Sequence, residues 1–175
     1  HVGTHMDAPY HFCPEGDTLE RQDLSVCVGP ARVIHMHPIA PSTLITVQHL
    51  GDAASEISAG DRLLFRTDWH KRYGTDAYRN QLPRISLDLA RWLVDRRVGM
   101  IGVEPPSVAD VNNRRELTDV HQTLFRGGVL IVEGLAYLDQ LPTDNVQFIA
   151  LPMKIDGGDG SPVRAIAITD HTESS

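Results

Sequence analysis

Short apolar stretches bounded by turn residues recur along the chain, and most lack the helical period. Residues 31–39 (ARVIHMHPI) and 61–67 (DRLLFRT, after a Gly60-Asp61 turn) predict strands, and 43–50 (TLITVQHL) predicts another. Between Ser86 and Arg97 the period becomes helical. Leu89, Ala90, Leu93 and Val94 form one stripe there, Ser86 stands at the N-cap, and Gly99 supplies a stop. MIGVE (100–104) then predicts a buried strand ending at Pro105-Pro106. Thr118 is placed to cap a short helix through His121 and Leu124, closed by Gly127-Gly128, ahead of a strand over 128–134 that carries Glu133. The segments VQFIALPMKI (146–155) and SPVRAIAIT (161–169) predict two strands joined by a DGGDG hairpin turn (156–160). Strands outnumber helices and few are separated by a full helical crossover. The pattern therefore predicts a mixed, strand-rich α/β domain with substantial antiparallel pairing over a doubly wound parallel sheet.

Composition narrows the function classes. The 175 residues suffice for one domain with a core, and 41% hydrophobic with 22% charged residues is an ordinary globular balance. A formal net charge of -7 without a basic block argues against nucleic acid as a partner, because binding it requires a cationic face. No apolar run approaches the roughly 20 residues needed to span a membrane. The two cysteines, Cys13 and Cys27, make no disulfide framework; two free thiols in a reducing, cytoplasmic setting are expected over a single bridge between them.

The opening segment HVGTHMDAPYHF carries the candidate chemistry. In extended chain its period of two places His5, Asp7 and His11 on one face, with His1 extending it, while Met6, Ala8, Tyr10 and Phe12 turn to the core. Gly3 is placed for a close backbone approach. Imidazole nitrogens and a carboxylate are ligands for zinc or a similar first-row ion, and the two oxygens of Asp7 allow it to bridge two ions. The competing expectation is a solvated polar strand face. Glu133, ending an apolar strand, and His121 are the distant groups that would complete such a site; otherwise Glu133 is a carboxylate capped by amides or open to water. The remaining histidines fit surface positions: His35 and His37 as an edge-strand pair, and His49, His70 and His171 singly. Cys13 fits a small buried hydrophobe better than a soft ligand. DGGDG lacks the later acidic ligands of a calcium loop.

The residues from His1 to His11 resemble the HxGTHxDxPxH signature of the cyclase-like metal-dependent hydrolases, the family of bacterial kynurenine formamidase and isatin hydrolase. RTDWHKRYG (66–74), IGVEPPSV (101–108), DVHQTLFRGGVLIVEGL (119–135) and IALPMKIDGGDGSPVRAIAI (149–168) are similar to segments of the formamidase branch. The resemblance implies a swivelling β/β/α fold over 1–175 as one domain, assembled as a homodimer or homotetramer. It also implies two metal ions, zinc or alternatively manganese. His1, His5 and Asp7 would hold one ion, and Asp7, His121 and Glu133 the second, with Asp7 and Glu133 shared. His11 would be the catalytic acid/base. Glu104 stands where relatives carry an aspartate. Relatives extend upstream of the signature, so the family's N-terminal segment is expected to be missing from this chain.

The activity this implies is hydrolysis of a small-molecule amide, an arylformamide such as N-formylkynurenine or a cyclic amide. Trp69, Tyr73 and Tyr78 are candidates to flank an aromatic substrate. The alternatives are a cyclase or dehydratase using the ion as Lewis acid, and a metal-binding domain without turnover.

Overall fold

Near-continuous apolar runs build the middle of an eight-stranded sheet. In the computed structural model, which describes residues 1–169, ten strands and four helices form. The strands are β1 (His5–Asp7), β2 (Val28–His35), β3 (Leu44–Ile45), β4 (Arg62–Arg66), β5 (Arg84–Ile85), β6 (Met100–Val103), β7 (Leu130–Glu133), β8 (Asn145–Ile149), β9 (Gly160–Pro162) and β10 (Ile166–Ile168). The helices are α1 (Ala53–Glu56), α2 (Asp76–Asn80), α3 (Leu87–Asp95) and α4 (Arg114–Arg126). The main sheet runs β10-β8-β2-β4-β6-β7-β1-β9, and β3 pairs with β5 separately. Its centre, β2-β4-β6-β7, is parallel, and antiparallel strands extend it on both sides. The mixed, strand-rich α/β expectation holds.

Strand alternation divides the core between two faces. Leu63, Phe65, Ile101, Val103 and Ile131 pack with Leu89, Leu93, Val120 and Leu124 of α3 and α4. Leu64, Met100, Leu130 and Val132 point the other way, onto Met6, Ala31, Val33, Val146 and Phe148. Gly102 sits on this second face, where a Cβ would come within 2.6 Å of Leu135 and 2.8 Å of Leu64, so only glycine lets these side chains close over β6.

The helices follow their caps. Ser86 Oγ accepts from the Leu89 amide at 3.1 Å and starts α3 as its sequence indicates. The turn out of α3 uses Arg97 in the left-handed region (φ 55), not Gly99, which leads into β6. Helix α4 begins at Arg114, capped by Asn113, ahead of the expected Thr118. Its first turn is exposed, so Arg114 and Arg115 show no apolar stripe to betray it.

Other expectations are corrected. Within 43–50 only Leu44–Ile45 is strand, because Thr46 and His49 form a reciprocal cap that bends 47–50 into a 3₁₀ turn. DGGDG does not join a hairpin. Strand β8 pairs with β2 and β10, whereas β9 pairs with β1, so the segment carries the chain across the sheet. His35 ends an interior strand, not an edge strand. His35 and His37 are exposed, and they face separate carboxylates, Asp144 and Asp68. Both cysteines are free and buried. Among the described residues no helix is long and apolar enough to cross a membrane. His171 lies outside the described residues.

Candidate metal centre

The register of one short strand assembles the site. In the β1–β7 ladder His5 lies opposite Glu133 and Asp7 opposite Ile131, so the His5, Asp7 and Glu133 side chains share the helix-facing side of the sheet. Met6, between them, is fully buried on the opposite face. From above, α4 lowers His121 onto the same spot. His5, Asp7, His121 and Glu133 are all buried, at the floor of a cleft of about 370 Å³.

The two carboxylates each span both imidazoles. His5 Nε2 stands 3.2 Å from Asp7 Oδ1 and 3.4 Å from Glu133 Oε2. His121 Nε2 stands 3.8 Å from Asp7 Oδ2 and 3.4 Å from Glu133 Oε1. The other ring nitrogens are committed: His5 Nδ1 donates to the Gly3 carbonyl at 2.9 Å and His121 Nδ1 to the Leu117 carbonyl at 2.7 Å. With Nδ1 carrying the proton, each neutral ring aims an Nε2 lone pair at carboxylate oxygens, an arrangement that only a cation or an added proton reconciles. His5 Nε2 is accordingly a buried nitrogen with no hydrogen-bond partner among the described residues. A carbonyl behind each imidazole is the outer-shell support that metal-binding histidines use. The donor set therefore fits a divalent ion. His1, His5 and Asp7 form one triad of converging ligand atoms, and Asp7, His121 and Glu133 form a second.

Electrostatics matches this reading. Burial opposes a charge on His5, but Asp7 and Glu133 outweigh it and lift the imidazole to about 10. Burial likewise disfavours the Asp7 anion, yet His1 and His5 overcome it and hold the carboxyl well below the usual range. The 2.5 Å hydrogen bond to Asp7 raises His1.

His11 reaches the cleft differently from the strand-face expectation. The chain leaves β1 and enters a 3₁₀ turn at Pro9–His11, so alternation stops. Tyr10 is consequently 44% exposed instead of buried. His11 is half-buried and stacks on His1 with ring centroids 3.7 Å apart. Burial lowers its pKa, against the pull of Asp7 and Asp159. Phe12 stacks on His121 at 4.1 Å and walls that ring. Gly3 serves by its left-handed φ of 66, since no atom of the described residues lies within 4 Å of where its Cβ would be. The close approach is at Gly134, whose Cβ would fall 2.5 Å from the Gly3 carbonyl oxygen.

Tyr73 and Tyr78 line the cleft, with Arg79. Trp69 does not: it is buried and donates from Nε1 to the Tyr78 carbonyl. His70 is no surface residue, because its Nδ1 donates to the buried Glu104 at 2.9 Å. The residue overlooked in the sequence is Asp159, whose Oδ2 lies 3.1 Å from His11 Nδ1 and 3.4 Å from His1 Nε2. Its only local signal was a second aspartate within DGGDG, which an ordinary turn explains equally well.

The putative cyclase family model matches residues 1–110, the part that carries His1, His5, Asp7 and His11. The chain belongs to this family. Among its relatives, kynurenine formamidase of Bacillus thuringiensis (strain Al Hakam) is 36% identical over 166 residues, covering 95% of this chain and 75% of that protein. A solved structure described as a potential metal-dependent hydrolase with cyclase activity matches with a TM-score of 0.80 at 31% identity, over 95% of this chain and 77% of the other. An isatin hydrolase bound to the product analogue thioisatinate matches with a TM-score of 0.82 at 28% identity, over 95% and 71%.

Proposed function

We propose that this cyclase-family chain is a metal-dependent amide hydrolase acting on a small arylformamide, of the N-formylkynurenine type, or on a cyclic amide. One observation carries the reading: two imidazoles of fixed tautomer aim bare nitrogens at two shared, buried carboxylates, beneath a third imidazole at the cleft wall. Similarity to a formamidase and to an isatin hydrolase supports the substrate class.

His1, His5 and Asp7 would hold one ion and Asp7, His121 and Glu133 the other, with zinc first for its affinity for imidazole and manganese second for the carboxylates. When bound, such ions supply Lewis acidity towards a carbonyl oxygen and acidify water. The chain's own part is to position and to move protons. Asp7 and Glu133 each present one oxygen to either side of the centre, so the two ligand sets stay in register. His11 takes a proton from the attacking water as the C–O bond forms and returns it to the departing nitrogen as the C–N bond breaks, so the ring ends as it began. Phe12 and Leu117 keep the floor dry, while Tyr73 and Tyr78 offer faces to an aryl ring at the mouth. The free thiols are consistent with a cytoplasmic enzyme, and a homodimer or homotetramer is its expected assembly.

The test is a hydrolysis screen over arylformamides, cyclic amides and lactones, with zinc, with manganese and with chelator. Turnover that needs metal is the expected result. A folded, metal-loaded protein inactive on all three classes overturns the reading.

A further inference from the structure

The DGGDG segment has a place in the site that its turn-like composition hides. Its second aspartate, Asp159, sets its carboxylate 3.1 Å from His11 Nδ1. A carboxylate can only accept, so the bond places the ring proton on Nδ1 and leaves the Nε2 lone pair free. The backbone holds Asp159 there: its carbonyl accepts from the Ala8 amide at 2.9 Å, and Gly160 sits opposite Asp7 in the β1–β9 ladder. Gly160 is also required, because a Cβ there would fall 2.4 Å from the His1 ring. That space admits His1, which stacks on His11. Among the described residues the ion-pair partners of Asp159 are His1 and His11, so no lysine or arginine diverts it from the imidazoles.

We propose that Asp159 is a positioning residue: it fixes the tautomer and the tilt of His11 so that Nε2 faces the cleft and carries the proton. This rests on His11 as the proton carrier of the hydrolase proposed above. The physical need is simple. A neutral imidazole has two tautomers of similar energy and a broad, roughly two-fold ring torsion, so an unanchored ring spends much of its time wrongly set. A buried aspartate does the same for the base of serine proteases.

Asp159 is half-exposed at its side chain (51%), so its replacement leaves the core untouched. In the metal-loaded chain Asp159→Ala is expected to lower kcat by on the order of 10–10²-fold, with KM within about twofold and metal content unchanged. Asp159→Asn, whose amide oxygen still accepts from Nδ1, should retain more, and Asp159→Glu should recover part of the loss. Nitrogen-15 shifts of the His11 ring give a readout that needs no turnover: one Nδ1-protonated tautomer in the parent, a mixture in Asp159→Ala. A kcat within about twofold of the parent in Asp159→Ala, or an unchanged tautomer, overturns the inference. If the parent cleaves no amide but the tautomer shifts as described, the positioning stands and the hydrolase reading falls.

Discussion

Glu104 and Glu133 close neighbouring parallel strands, β6 and β7, and both carboxylates are shut off from water. Their surroundings are opposite. Glu104 Oε2 accepts from the Thr67 amide at 2.8 Å, the Thr67 hydroxyl at 2.9 Å and the Trp69 amide at 3.1 Å, while Oε1 accepts from His70 at 2.9 Å. Among the described residues Glu133 accepts one hydrogen bond, from the Val108 amide at 2.8 Å, and otherwise faces the Nε2 atoms of His5 and His121. A buried anion with four donors is satisfied by the protein, and one facing lone pairs needs a cation or an added proton on the facing rings. Glu104 therefore serves structure. It ties down the loop that bears Trp69 and Tyr73, and the Tyr78 hydroxyl donates to its backbone carbonyl at 3.2 Å. Glu133 serves chemistry.

The contrast breaks most directly at the ligands. His5→Ala, Asp7→Ala and Glu133→Gln are each expected to weaken metal retention by more than about 10²-fold and to abolish turnover, because each removes a direct donor. Metal analysis after dialysis reads this, and full occupancy in all three would equate the two glutamates. Next in size, Glu104→Gln should cost about 2–3 kcal/mol, since charge-assisted bonds are lost and one amide group is left facing donors. Urea midpoints at constant m should show this loss exceeding that of Glu133→Gln in metal-free protein. The reverse order would mean that Glu133 is the structural carboxylate.

A third expectation sharpens the comparison through pH. In metal-free protein His5 is raised from its ordinary 6.5 to about 10, so its contribution is complete below 6.5 and is lost as pH rises through 10. The metal-free chain should lose stability across that window, and the zinc-loaded chain should lose less, because a ligating imidazole is already neutral. Identical slopes for the two forms would remove His5 from the centre. The smallest effect belongs to the loop that Glu104 holds. Tyr73 is 76% exposed at the mouth of the cleft, and Tyr73→Ala should raise KM for an aryl substrate about two- to fivefold with kcat unchanged. A fall in kcat instead would place Tyr73 in the reacting geometry.

Much of the fold was legible because local pattern and local conformation agree. Ser86 caps α3, and the apolar runs at β4, β6 and β7 are buried strands. Failures occurred where a neighbour outside the window decides. His49 caps its own turn and breaks a strand-like run, and α4 begins in an exposed polar turn. His70 is drawn inward by Glu104 from a strand that no local pattern links to it.

By itself the sequence determined the donor types and their side of the chain. In an extended segment side-chain direction follows from position, so His5 and Asp7 must share a face and Met6 must oppose it. Only the tertiary structure decided what meets that face. The β1–β7 register sets His5 against Glu133, α4 brings His121 down on both, and the β1–β9 pairing carries Asp159 to His11. Such meetings are long-range: they are fixed by which strand edges and helix faces can be buried together, and no window of sequence contains both partners.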